Sequence, residues 1–462
     1  MKLPEEFKDK IKPLIKGGWD NFEKALEQDA YTSFRVNPIK STEFWIPSES
    51  VDWCKNGYYL DERPSFIFDP LFHAGAYYVQ EASSMFIGQV FEQYIHEDVK
   101  VLDLCAAPGG KSTHILSHLS ADSLLVSNEV IKSRANILSE NITKWGYPNS
   151  IVINNDPSEI GNLSDYFDVI LVDAPCSGEG MFRKDSNALE EWSPANVQLC
   201  KERQQRILKD IWSSLKPGGI LIYSTCTYNR EENEDNVLWI KEKLGAQILP
   251  VETDPKWVIS PSYDADLSCY HFFPHKTKGE GFFMAVVQKN GEFTETTKVI
   301  KNRKQNKQKP AILADKYKNY LTDWEQYTFF NRGETWFAFP QKQYDNFNEI
   351  ASKLRLISAG INIGEFKGEK FIPHHSLAMS TFLNKESFTC HDINLETAIT
   401  YLRNETFLLT DLPKGYILLT YKNVPLGFVK NIGNRINNLY PSEWRIRKTY
   451  QNEAVNSPLK LG

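Results

Sequence analysis

Residues 101–116 read VLDLCAAPGGKSTHIL. An apolar run ends near Leu104, a loop of small residues follows, and a helical pattern starts near Ser112. Small residues let a backbone approach a ligand closely, and a helix start favours negative charge. Spacing excludes two familiar phosphate loops. A P-loop requires Gly five residues before Gly110, where Cys105 stands, and no G-x-G-x-x-G is present.

Working outward, the same strand-like pattern recurs at VKVLDLC (99–105), LLVSNE (124–129), SIVIN (150–154), DVILVD (168–173) and GILIYS (219–224). Helical patterns over Lys132–Trp145 and Val197–Leu215 separate these runs. Strands apolar on both faces that alternate with helices predict an α/β fold built on a doubly wound, Rossmann-like parallel sheet. Gln247–Val251 and Phe282–Val287 read as two closing strands, and Asn229 with Glu232 as a capping box opening a helix just after the fifth strand. Ligands of such sheets bind outside the carboxyl ends of the strands. Acids stand there after three strands: Glu129, Asp156 and Asp173. One such acid reads as a turn or cap. Three point to a nucleoside-bearing cofactor, with Glu129, 19 residues after Gly110, placed to accept ribose hydroxyls.

Composition narrows the class. At about 150 residues per domain, 462 residues suggest roughly three domains. With 41 % hydrophobic and 24 % charged residues, the chain can bury cores and is not a disordered one. No apolar run reaches the ~18 residues of a spanning helix, and the start MKLPEEFKDK has no apolar signal segment. Seven scattered cysteines suit reduced thiols in the cytoplasm. Charge is uneven. Residues 1–290 carry 29 Lys+Arg against 42 Asp+Glu, whereas 291–462 carry 24 against 17, so the second part is suited to a polyanion.

The flanks are less regular. A short helix is expected over Glu5–Lys12, with turns at Gly57, Pro64 and Pro70. The basic run KNRKQNKQKP reads as a linker, and FLLT, GYILLTY and PLGFVKNI as strands of a small terminal β module. Cys269, His271 and His275, and the pair His374–His375, lack paired ligand spacing and read as structural, so no metal site is expected. Glu231, Glu234 and Asp235 read as the acidic start of a helix.

Two further stretches place a cysteine just past a strand: FDVILVDAPCSGEGMFRKD (167–185), with Cys176, and GILIYSTCTYNREENEDN (219–236), with Cys226. A lone cysteine is usually a small buried hydrophobe. Two at neighbouring strand exits are candidates for one reactive site, their thiolates favoured by a nearby Lys or helix start.

CAAPGGK, DAPCSG and YSTCTY, in this order and spacing, resemble the RNA cytosine-5 methyltransferases of the Nop/Sun (RsmB/Nop) family. FRVNP (34–38) and HAGAYYVQEASSM (73–85) extend the likeness, and GEGMFRKD (178–185) with WSP (192–194) resembles the bacterial ribosomal small subunit methyltransferase F branch. The resemblance implies a class I methyltransferase sheet that binds S-adenosyl-L-methionine at Cys105, Ala106, Ala107, Pro108, Gly109, Gly110, Lys111, Glu129, Asp156 and Asp173. It implies Cys226 as the nucleophile and Cys176 as its partner in product release. The expected substrate is RNA, 16S rRNA or the small ribosomal subunit before tRNA, handled by a cytoplasmic monomer with no membrane contact; a non-catalytic RNA-binding assembly factor is the rival. The expected division is an RNA-binding extension (1–70), the methyltransferase domain (71–290), a basic linker (291–312), a middle domain (313–400) and a PUA-like RNA-binding module (401–462).

Overall fold

Successive residues of the short apolar strands face opposite sides of one sheet, and this splits the core in two. The computed structural model describes residues 2–15, 17–291, 308–450 and 455–461. Most of the basic linker, including KNRKQNK at 301–307, lies outside the described residues. The central strands are β1 (Lys100–Asp103), β2 (Leu124–Asn128), β3 (Ser150–Ile153), β4 (Phe167–Asp173), β5 (Leu215–Thr225), β6 (Ala246–Leu249), β7 (Ser260–Pro261), β8 (Cys269–Phe272), β9 (Phe282–Lys289) and β10 (Leu356–Ala359). Their order is β7-β8-β9-β5-β4-β1-β2-β3-β10, with β6 also on β9. From β3 through β5 neighbours run parallel, whereas β9 and β10 run antiparallel to β5 and β3. Strand order therefore reverses between β1 and β4, which places a ligand crevice outside their carboxyl ends.

Helices α1 (Gly110–His118), α2 (Lys132–Trp145), α3 (Pro194–Ile211) and α4 (Glu234–Lys243) cover the two faces. Val101, Leu125, Val152 and Leu171 pack with Ile115, Leu138 and Ile142 on one side. On the other, Leu102, Val126, Ile151 and Ile170 pack with Leu208, Ile211 and Ile240. The third helix is shifted from its expected position: Ser193 caps it through the Asn196 amide, Pro194 opens it, and Leu215 already begins β5.

The flanking regions are tied into this body. Arg35, 1 % exposed, donates to Gly110 O, Thr113 Oγ1 and Gln80 Oε1 and lies over the Trp145 ring, joining the strand Thr32–Val36 to α1 and α2. Gly57, expected in a turn, lies within the strand Cys54–Leu60, where a Cβ would come within 2.6 Å of Met85 Sδ. Pro70 is the first residue of a helical turn capped by Asp69. The middle region supplies β10, and its Phe330, Phe339 and Phe347 enter the same core as Leu102 and Ile170. The last sheet takes in Thr389–Asp392, Gly415–Tyr421, Val424–Asn431 and Ile436–Asn438; FLLT is not a strand but a loop. Lys460–Leu461 returns to pair with Phe44–Trp45.

Candidate active site

The carboxyl ends of β1, β2 and β3 are tied together by one side chain. Asn128, fully buried, donates to Leu104 O and Asn155 O at 3.0 Å each and accepts from Asn155 N at 2.9 Å. Its own carbonyl accepts the Ala106 N–H, so the small-residue loop is fixed to the end of β2. Asn141 and Arg134 of α2 donate to Pro108 O and Ala107 O. Gly109 takes φ +114°, a conformation open to glycine, and Gly110 begins α1. Asn128 carries no sequence signal: one buried amide in an apolar run belongs to no period or motif.

Cys105, Ala106, Ala107, Pro108, Gly109, Gly110 and Lys111 thus line one loop above β1, and Glu129 stands beside them. Glu129 is 3 % exposed; it accepts the Ile131 N–H at 3.0 Å and lies 3.4 Å from Arg134 Nη1. Asp156 caps the turn Pro157–Ile160, and Ser158 N and Oγ both bond its Oδ1, which lowers its pKa. Asp103, not singled out by the sequence, accepts from Ser112 Oγ at 2.6 Å, while its Oδ1 meets no donor among the described residues. Burial pushes it up to about 7. Burial also raises the Cys105 thiol.

Asp173, at the end of β4, accepts from Lys111 Nζ and Ser224 Oγ at 2.8 Å each. Burial by itself lowers the Lys111 ammonium, but Asp173 and Asp103 outweigh it and hold it above the ordinary lysine value, with Cys226 adding to their effect. Cys176 and Cys226 are free thiols with sulfurs 3.0 Å apart, and Cys226 N lies 3.4 Å from Cys176 Sγ. The hydrogen bond to Cys226, then burial, holds Cys176 well above the ordinary thiol value.

The expected capping box does not form. Asn229 Oδ1 accepts the Glu232 N–H, but the Asn229 N–H goes to Glu179 and the Glu232 carboxylate to Ser177 N, Gln204 and Asn229 Nδ2. The helix starts later, at Glu234, and its N-cap residue Asn233 accepts from Thr225 Oγ1 at 2.6 Å and donates to Thr227 O at 3.0 Å, so the helix start is tied to the residues on both sides of Cys226. The Lys111 ammonium also acts electrostatically on Cys226. Of the three acids expected at the helix start, Glu234 and Asp235 stand in its first turn and Glu231 precedes it. Glu234 is buried and bonds His271 Nε2 at 2.7 Å, Glu231 pairs with Lys10, and Asp235 with Lys201. Cys269 is buried in β8, His275 packs on Phe22, His374 caps a helix through the Ser376 N–H, and His375 packs on Tyr440 and Trp444. No cluster of metal-ligating residues occurs among the described residues.

The fold and its crevice define a Rossmann-like methyltransferase. A solved methyltransferase homologue from Pyrococcus horikoshii aligns with TM-score 0.53 at 28 % identity, covering 62 % of this chain and 95 % of that one. The NSun6 structure from the same organism aligns at 0.54 and 23 %, covering 63 % and 99 %. The description "16S rRNA methyltransferase RsmB/F" matches residues 93–288, "N-terminal domain of 16S rRNA methyltransferase RsmF" residues 3–82, and "Methyltransferase RsmF PUA domain" residues 388–446. Ribosomal RNA small subunit methyltransferase F of Cronobacter sakazakii is 30 % identical, over 96 % of each chain. The chain belongs to the ribosomal RNA small subunit methyltransferase F family.

Proposed function

We propose that this chain methylates carbon 5 of a cytosine in 16S ribosomal RNA, using S-adenosylmethionine and a covalent link between Cys226 and the base. The close pair of thiols, with Cys226 two residues past the Ser224 that bonds Asp173, carries this reading. The cofactor, when bound, supplies an electrophilic methyl on a sulfonium centre. The crevice fits it: Glu129 holds an acceptor for ribose hydroxyls, Asp156 keeps Oδ2 for the adenine side, and Asp103 holds an unmatched buried oxygen.

Cys226 bonds to carbon 6 of the base, and carbon 5 becomes nucleophilic; one hard step becomes two easier ones. Lys111 holds positive charge beside the attacking sulfur. A base then removes the carbon-5 proton, the electrons of that C–H bond reform the carbon 5–carbon 6 double bond, and Cys226 leaves as a thiolate, with Cys176 its partner in releasing the product. The base must be unpaired or turned out of its helix to reach this crevice. The N-terminal region and the terminal module are read as RNA-binding parts around the catalytic domain, in keeping with the basic balance of residues 291–462. The chain is taken to act as a cytoplasmic monomer. Among the described residues no helix is long and apolar enough to cross a membrane.

Incubation with methyl-labelled cofactor and either 16S rRNA, small subunits or tRNA tests this, with the product nucleoside identified by mass. Label in 5-methylcytidine of 16S rRNA is expected. Label only in tRNA moves the substrate, and no label with intact RNA binding turns the reading to an assembly factor.

A further inference from the structure

Each cysteine loop is held by a buried carboxylate that belongs to the other. Glu179, in the loop after Cys176, reaches across to the segment after Cys226. Its Oε2 accepts from Thr227 Oγ1 at 2.5 Å, Tyr228 N at 2.7 Å and Asn229 N at 2.9 Å; its Oε1 accepts from Asn229 Nδ2 and Trp192 Nε1 at 3.0 Å. Glu232, in the segment after Cys226, reaches back. Its carboxylate accepts from Ser177 N at 3.1 Å, Gln204 Nε2 at 2.7 Å and Asn229 Nδ2 at 2.9 Å. The Asn229 amide thus joins both carboxylates, and both glutamates have no exposed surface.

Closing two loops does not require this. Turns close with backbone bonds or a Ser or Asn side chain, and burying two neighbouring carboxylates is costly unless donors saturate them. The crossing bonds fix one backbone against the other. Gly180 N donates to Cys226 O at 2.8 Å, and a Cβ on Gly180 would come within 2.6 Å of Gly281 O and 2.9 Å of Cys226 O. The sulfurs stand 3.0 Å apart directly beside these bonds.

We propose that Glu179 and Glu232 are positioning residues, a crossed clamp that sets the separation of Cys176 and Cys226. The proposal rests on the reading of this pair as the reacting thiols, but its test does not. A glutamine at 179 puts an amide N–H₂ against donors whichever way it turns, because both carboxylate oxygens receive only N–H and O–H groups. Glu232→Gln is gentler: burial pushes Glu232 up to about 7, so its neutral form is already populated near neutral pH.

Phenylarsine oxide measures the spacing directly. One arsenic condenses with two neighbouring thiols, forming two As–S bonds and releasing one water. Full-length wild type is expected to take one arsenical across Cys176 and Cys226, and Cys176→Ala to lose it. Glu179→Gln is expected to slow capture at least tenfold while both thiols still alkylate and the cofactor still binds. In the same variant kcat is expected to fall tenfold or more with KM for RNA unchanged. Should Glu179→Gln fail to bind cofactor, Glu232→Gln takes its place, with a threefold or greater slowing expected. Capture at the wild-type rate in the variant tested overturns the clamp, and slowed capture with unchanged kcat overturns its role in turnover. Failure of the catalytic reading shows separately, as wild type that captures the arsenical but methylates no RNA.

Discussion

The ends of β1, β2 and β3 differ from those of β4 and β5 in how their carboxylates are used. At the first three, Glu129 holds one backbone N–H and a loose arginine contact, and Asp156 has both its bonds on one oxygen. At the other two, Glu179 takes five donors and Glu232 takes three, two of them, Ser177 and Gln204, from outside its own loop. Acceptors left over suit an edge that receives a ligand. Acceptors used up suit an edge where backbone must be held in place for bond making. Variants at the first edge should therefore act chiefly on cofactor affinity, and variants at the second chiefly on the fold around the thiols.

The largest effect on affinity is expected at Glu129. Losing charge-assisted bonds to two hydroxyls costs about 1.5–3 kcal/mol each, so Glu129→Ala should weaken cofactor binding at least ~100-fold by calorimetry, with an unchanged melting temperature. Wild-type affinity in this variant would break the distinction between the edges.

At the saturated edge the expected signal is in stability against pH. Glu232 is pushed above its ordinary value of 4.5 to about 7, chiefly by burial. The folded state thus binds the proton more tightly than the unfolded one, and the stability this gives is full below 4.5 and lost as pH rises through 7. Wild type should lose up to about 3 kcal/mol relative to Glu232→Gln between pH 4.5 and 7.5. Parallel denaturation curves at the two pH values would remove Glu232 as the titrating group.

Asp156→Ala sharpens the comparison from the other side, because Asp156 also caps a turn. Removing a cap costs about 1 kcal/mol of stability, and removing one hydrogen bond to adenine a similar amount of affinity. Both should appear together, unlike at Glu129. The smallest effect is expected in the terminal module. Lys430→Glu with Arg435→Glu should flatten the salt dependence of RNA binding by roughly 0.7–0.9 for each phosphate no longer neutralised. An unchanged slope would make these charges mere surface. Charge reversal is a cleaner test than cutting the chain near residue 290, which would strip β10 from β3 and remove Phe330, Phe339 and Phe347 from the core.

The five apolar runs and the acids after them were legible because strand burial and strand ends leave a local pattern. The loop of small residues and the two cysteines were legible as motifs. What escaped is what depends on residues far apart in sequence. Asn128 ties three loops across the sheet, Arg35 reaches 78 residues to Thr113, and β10 joins β3 from the far side of the linker. Glu232 shows the opposite failure. Its spacing from Asn229 fits a local cap, but burial and the Ser177 N–H draw the carboxylate across to the other loop, and the helix opens later, at Glu234. FLLT failed because an apolar run without a sheet edge to pair with remains a loop.

In the proposed reaction Cys226 attacks and Cys176 releases. The direct measurement is a denaturing gel of labelled 16S RNA incubated with cofactor and each cysteine variant. Cys176→Ala should methylate once and stall, leaving a retarded band of protein joined to RNA. Cys226→Ala should bind RNA, give no such band and lose product by at least ~10⁴-fold. A retarded band from Cys226→Ala and none from Cys176→Ala would contradict the account and exchange the two roles.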